Sequence, residues 1–418
     1  GHYYEIDLMS KKIEKTQYWD FDFSIPETVK DEREYVEEVD RLFVQAVERQ
    51  MVADVPLGSY LSGGIDSGSI TAIASRHFQR SNQYLKTFTV GFDLSSTSGI
   101  EVCFDERLMA EYMSHEFKTE HYEMVLKSGD MQRCLPIFAY HMEEPRVGQS
   151  YPNYYASKLA SKFVKVVLSG TGGDEIFAGY PWRYYKVMGS KNSEDYLQNY
   201  YKLWQRLLPS KDLKDIFSPI QNDIKNVSTR DIFKNVFKDR QSCQSPEDYI
   251  NQSLYFEAKT FLHGLLVVDD KLSMAQGLEA RVPFLDNDLV DFSQKIPPNL
   301  KLENIQNLSK MNLSELDKIK KPFNGKAILR KAMRPYIPEK IQKAKKQGFS
   351  SPDSSWFRGE SIKFVENKIM NKNAGIYKYM DYRATTKLVS DHIKGESNRR
   401  LFIWSLLNLE EFIAVFDK

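Results

Sequence analysis

Between positions 31 and 51 the apolar residues Val36, Val39, Phe43 and Val47 share one helical face, and acids and bases fill the rest. This spacing predicts an amphipathic helix that leads into an apolar run, Leu57 to Leu61. After Ser62-Gly63-Gly64, the residues Ile70, Ile73, Ala74 and His77 again repeat at helical period. The stretch therefore reads as strand, tight glycine loop, helix. A buried-strand pattern over 86–93 stops at Gly91, a helix is expected over 105–117, and a further strand runs from His121 to Leu126. Residues Tyr154 to Phe163 give another helix, followed by a strand from Val164 to Ser169.

Strands alternating with helices predict an α/β fold, a parallel sheet with helices on both faces. Ligands of such sheets lie beyond the strand C-termini, so Ser62-Gly63-Gly64, Val90-Gly91 and Ser169-Gly170 are expected to converge. Beyond about Tyr185 the chain becomes a series of long amphipathic stretches with few strand signals, a mostly helical second half. The section from Ser190 to about Ser253 reads as scaffold. At the other end, Tyr3 to Leu8, a polar turn at Ser10 to Lys12, and Ile13 to Trp19 read as a hairpin. A lone hairpin is marginal in water, so it either docks on the body or is the edge of something absent.

Composition narrows the picture mainly by exclusion. The 418 residues carry a formal net charge of +1, which gives no nucleic-acid or anionic-membrane footprint. Cys103, Cys134 and Cys243 are far apart and fit neither a disulfide framework nor a zinc site. No apolar run approaches a membrane span and no secretory signal opens the chain, so a cytoplasmic setting is expected. The chain begins at Gly1, which suggests a fragment or a processed product.

Chemistry concentrates in four stretches. In the first, Ser62, Ser67 and the leading N–H groups of the following helix point into one space, as a phosphate loop requires. The Walker A lysine is absent and Asp66 stands in the turn, which implies a divalent cation shared with phosphate oxygens. A glycine turn capped by Asp66 is the alternative. In the second, Val167 to Tyr180, small residues are again followed by acids, Asp174 and Glu175. Asp66 and Asp174 together would hold magnesium against a leaving pyrophosphate; alternatively Asp174 merely suits the first turn of a helix. The third, Asp269 to Asp286, sets Glu279 and Arg281 beside Val282-Pro283-Phe284, either as site residues or as a structural ion pair. The fourth, Asn324 to Arg330, places Lys326 near a helix start, where a lysine can reach phosphate oxygens; a solvated lysine is the commoner case.

In this order the stretches resemble the synthetase half of the glutamine-dependent asparagine synthetase family, of the N-type ATP pyrophosphatase (PP-loop) class. The resemblance runs from Gly1-His2-Tyr3 through Asp54 to Gly58 and on to His392 and Trp404 to Leu407. The segment Leu278 to Asp286 (LEARVPFLD) and the pattern Gly348, Phe349, Pro352, Trp356 are its most specific parts. It implies a five-stranded parallel sheet of the adenine nucleotide α-hydrolase-like type. Residues 1–28 would be the residual edge of a glutaminase domain and its linker, 29–189 the ATP pyrophosphatase core, 190–254 a helical insertion and 255–418 the helical C-terminal part. The implied reaction is ATP-dependent amidation, by default of L-aspartate, through an acyl-adenylate with release of AMP and pyrophosphate. ATP and Mg2+ are the implied cofactors. Ammonia would come from glutamine in the intact protein and be supplied free to this chain, and a homodimer is allowed for.

By the same resemblance Leu61, Ser62, Gly63, Gly64, Asp66, Ser67, Val90, Gly91, Ser169 and Gly170 would bind ATP, and Asp66 and Asp174 the metal. Lys326, Asp66, Asp174 and Glu279 would be catalytic, and Thr171, Gly172, Glu175 and Arg281 would face the substrate. There are two departures. Thr171 stands between the glycines of the second loop where the asparagine-forming enzymes usually have an acid, and Glu143-Glu144-Pro145 continues as Arg146 to Gln149 without the usual acid. Loss of a candidate base makes another carboxylate acceptor, such as a sugar acid or one closed by an internal amine, the first alternative. A nucleotide-binding module without turnover is the second.

Overall fold

The computed structural model describes all residues except 25–27, 100, 102–103, 239, 241–242, 244, 306–324, 345–347, 349–350 and 418. Cys103, Asn324 and Phe349 lie outside the described residues. Two strands, β1 (His2–Ile6) and β2 (Ile13–Gln17), form the expected antiparallel hairpin, with every residue exposed. A two-stranded ribbon buries neither face, and here the segment after it makes the attachment. Trp19 Nε1 donates to Asp291 at 3.3 Å, Asp20 accepts from Lys259 Nζ at 2.7 Å and Tyr255 Oη at 3.0 Å, and Phe23 is buried.

Five parallel strands make the central sheet, β3 (Leu57–Tyr60), β4 (Lys86–Phe92), β5 (Glu120–Leu126), β6 (Val166–Leu168) and β7 (Glu279–Arg281), in the order β5-β4-β3-β6-β7. The chain builds outward from β3 to β5, then returns to the other side of β3 to add β6 and β7. The direction of building therefore reverses between β3 and β6, and a crevice opens there beyond the strand ends. On one face Leu57, Val166 and Leu168 pack against Val39, Phe43 and Val47 of α1 (Glu32–Gln50) and Ile70 and Ile73 of α2 (Ile65–Arg80). The alternate residues Phe88 and Val167 face Leu159 and Ala160 on the other side.

Two elements were not read from the sequence. Helix α4 (Ser128–Met142) follows α3 (Arg107–Glu116) and β5; it carries Pro136 in its interior, which argues against a helix on local grounds. Burial of Met131, Leu135, Phe138 and Met142 along one face outweighs that local penalty. The fifth strand is β7, formed by residues that had been assigned chemistry.

Beyond the sheet the chain is helical, as expected. The helix Pro246–Phe256 continues through a π-helical turn, Glu257–Phe261, into the helix Leu262–Met274, so the 254/255 boundary falls inside a continuous helical run. Glu257 is fully buried there, ion-paired to Arg183 at 3.1 Å and accepting from Tyr184 Oη at 2.6 Å and Tyr200 Oη at 3.0 Å. Arg183 stacks 3.8 Å from the ring of Tyr180. The scaffold segment thus reaches, through Tyr180, the loop that follows β6.

Candidate active site

The loop after β3 is tied to itself. Ser62 N donates to Ser67 Oγ at 3.0 Å and Gly64 N to Ser62 Oγ at 3.1 Å, so the turn is fixed before any ligand arrives. Gly64 caps α2 without a side-chain bond, which leaves the helix's leading N–H groups and its positive dipole end directed at the crevice. The loop after β6 lies close against it. A Cβ on Gly170 would sit 3.1 Å from both Asp66 Cβ and Ser67 N, and one on Gly173 only 2.7 Å from Asp66 Oδ1. Glycine there lets the two loops touch.

Where they touch, Lys326 is inserted. Its side chain is 3% exposed, and Nζ pairs with Asp66 Oδ2 and, at 2.5 Å, with Asp174 Oδ1. The backbone holds it there under strain. Lys326 has φ 60° and Ala178 φ 58°, both left-handed, and Lys326 N donates to Phe177 O at 3.1 Å. Gly325 lies so near that a Cβ would meet Ala178 O at 2.0 Å, and a Cβ on Gly179 would meet Asp174 Oδ1 at 1.9 Å. Glycine thus keeps clear the space around both carboxylates.

Two hard carboxylate donors in a glycine-lined cleft fit a magnesium ion. Among the described residues no group of three or more His, Cys, Asp or Glu could hold a metal. Asp66 and Asp174, both now paired with Lys326, are the residues that would hold it.

Beside this cluster is a cavity of about 150 Å3 whose lining includes Tyr60, Ser62, Val90, Asn153, Thr171 and Asp269. The ends of β3, β4 and β6 therefore meet at one place, as the alternation of elements predicted. On its wall Asp269 Oδ2 accepts from Ser169 Oγ at 3.2 Å and from Thr171 Oγ1, and Oδ1 accepts from Asn153 Nδ2 at 3.1 Å. A larger hollow, about 990 Å3, is lined by Glu303, Arg330, Arg334 and Lys343 and includes no residue of either loop.

The model of the Asparagine synthase family matches residues 38–414 of this chain. The chain belongs to that family. It is 29% identical to Asparagine synthetase [glutamine-hydrolyzing] 1 of Bacillus subtilis (strain 168), over 91% of this chain and 61% of that protein. It is 28% identical to Asparagine synthetase [glutamine-hydrolyzing] 3 of the same organism, over 91% of this chain and 58% of the relative. Amidase chyE of Penicillium rubens is 24% identical, over 93% and 63% respectively. The chain thus spans about three-fifths of the length of these curated relatives.

For this asparagine synthase family member the first loop, Asp66, Asp174 and Lys326 lie together, and Leu61, Val90, Ser169, Gly170 and Thr171 border the same crevice. Gly91 is held against Arg107 and Asp105, where a Cβ would come within 2.5 Å of both side chains. Gly172 takes φ 101° to turn the loop under Leu285.

Three assignments need correction. Glu279 is 58% exposed and pairs with Arg281 at 2.7 Å. Arg281 Nη1 donates to Gln50 O at 2.8 Å and Val52 O at 2.7 Å, closing the end of α1. Neither residue lines the cavity, and Arg281 is engaged by Glu279 and the end of α1, so the structural ion pair is the better account. Glu175 is 1% exposed and accepts from Tyr180 Oη at 2.7 Å; burial, then the nearby Asp174, pushes its pKa up to about 7. It faces the helical body and not the cavity. Asp269 was missed, although a signal existed: it shares a helical face with Leu262 and Leu272, a place for an apolar residue.

Proposed function

We propose that this chain catalyses ATP-dependent amidation of a carboxylate through an acyl-adenylate, with L-aspartate as the default acceptor. The observation that carries the reading is Lys326 Nζ held between Asp66 and Asp174 where the two strand-end loops touch. In this scheme the Ser62-Gly63-Gly64 turn and the α2 N-terminus hold the β- and γ-phosphates, and Val90 and Leu61 border the nucleoside. The acceptor carboxylate oxygen attacks the α-phosphate, and the electron pair of the broken P–O bond leaves on pyrophosphate. Lys326 supplies positive charge to the phosphate oxygens as that charge develops. Magnesium, held by Asp66 and Asp174, would add charge neutralisation of the leaving pyrophosphate. Ammonia then displaces AMP. In a protein as long as the relatives, a glutamine-hydrolysing portion would supply that ammonia.

A second reading keeps the chemistry and changes the acceptor. It is favoured by Thr171, which stands where the asparagine-forming enzymes usually have an acid and bonds instead to Asp269. Pyrophosphate release with ATP, magnesium and ammonia, with and without aspartate, separates the two. Aspartate-dependent release supports the default; release only with other carboxylates, such as sugar acids, supports the second. Nucleotide binding without pyrophosphate release under any acceptor would overturn both and leave a binding module.

A further inference from the structure

We propose that Asp269, acting through the Thr171 hydroxyl, is the proton acceptor for the attacking nitrogen when AMP is displaced. This inference rests on the amidation reading and deepens it by naming the group that takes the proton.

The geometry supports it from three sides. Asp269 comes from the helix Leu262–Met274, Thr171 from the loop after β6 and Asn153 from α5 (Tyr151–Ala160), so three separate elements converge on one carboxylate. Ser169 Oγ lies 3.1 Å from Thr171 Oγ1 and 3.2 Å from Asp269 Oδ2, which closes a triangle of hydroxyl, hydroxyl and carboxylate. Thr171 and Asp269 both line the cavity that also includes Ser62 and Val90, so the pair faces the space where nucleotide and acceptor must meet. Burial pushes the Asp269 carboxyl above its ordinary pKa, and the bonds from Thr171, Ser169 and Asn153 hold back part of that rise. A carboxylate made more basic in this way takes a proton more readily. The other acid close to this loop, Glu175, is turned away to Tyr180.

The step balances as follows. The nitrogen lone pair of ammonia forms the C–N bond, and the bond from the acyl carbon to the phosphate oxygen breaks with its electron pair leaving on AMP. One N–H proton passes to Thr171 Oγ1 as the threonine's own proton passes to Asp269, which releases it to solvent once the amide has gone.

The test separates the two half-reactions in Asp269→Asn and Thr171→Val. Exchange of labelled pyrophosphate into ATP reads adenylation, with the acceptor that supports exchange in the unmodified chain; amide formation from ammonia reads the second step. The expected result for both variants is amide formation lowered at least about 100-fold, and by at least about 30-fold more than exchange measured at saturating acceptor. Hydroxylamine, which needs less help from a base, should narrow the Asp269→Asn deficit. Equal loss of both half-reactions would show that Asp269 merely holds the loop, and no loss of either would show that it has no role; each overturns the inference. Absence of carboxylate-dependent exchange in the unmodified chain would instead remove the amidation reading, and this inference with it.

Discussion

Gly179→Ala puts a single methyl group where the site has least room. The added Cβ would lie 1.9 Å from Asp174 Oδ1, 2.6 Å from Asp174 Cγ and 2.6 Å from Lys326 Cε, whereas ordinary contact begins at 3.4 Å. The carboxylate must therefore move by about 1.5 Å, and Lys326 by somewhat less, because neither can share the space. A displacement of about 1 Å at a reacting centre costs on the order of 100-fold in rate. Overpacking of this kind costs about 1–3 kcal/mol of stability, which a domain of this size tolerates. Gly179 does not have positive φ, so alanine adds no backbone strain of its own. The assay is carboxylate-dependent exchange of pyrophosphate into ATP, with thermal unfolding to confirm a folded variant. A folded Gly179→Ala chain that exchanges within about 3-fold of the unmodified rate would refute the placement of Asp174 and Lys326 at the phosphates.

Other expectations follow from the same geometry. Lys326→Met leaves Asp66 and Asp174 facing each other in a buried cleft and should abolish exchange and destabilise the fold by about 3–5 kcal/mol; denaturant titration checks the second figure. Glu279→Gln should leave exchange within about twofold, since the exposed pair with Arg281 contributes under about 1 kcal/mol, and a loss of 100-fold would restore Glu279 to catalysis. Asp353 is buried, and desolvation pushes its pKa up to about 7 from 3.8, against hydrogen bonds from Ser351 and Tyr151 and the opposing charge of Arg400. Its folded state therefore binds the proton more tightly than the unfolded chain, so its contribution to stability is present below about pH 4 and lost as pH rises to about 7. Asp353→Asn should flatten that part of the stability–pH curve, and an unchanged slope would contradict the assignment.

Much of this is legible in the sequence. Strand–loop–helix alternation located β3, β4, β5 and β6 to within a few residues, because buried strands and amphipathic helices write different periods into a sequence. That Asp66 and Asp174 lie close together was also expected, from acids following two glycine loops, but the group between them is the Lys326 ammonium. What was lost has physical causes. Strand β7 is three residues long with charges at both ends, too short to show a period, so Glu279 and Arg281 looked like chemistry. Glu175 follows Asp174 in sequence, yet successive residues of a helical turn point apart, and one faces Lys326 while the other faces Tyr180. Asp269 lies 98 residues from Thr171, and only the folding of the helix Leu262–Met274 against α5 and the loop after β6 brings them together.

The central claim is that the carboxylate oxygen attacks the α-phosphate in the crevice between β3 and β6. An acceptor carboxylate labelled with 18O, incubated with ATP, magnesium and ammonia, tests it by mass spectrometry of the products. The account predicts one 18O atom in the phosphate of AMP and none in pyrophosphate. ADP as the nucleotide product, or AMP without label, would contradict it.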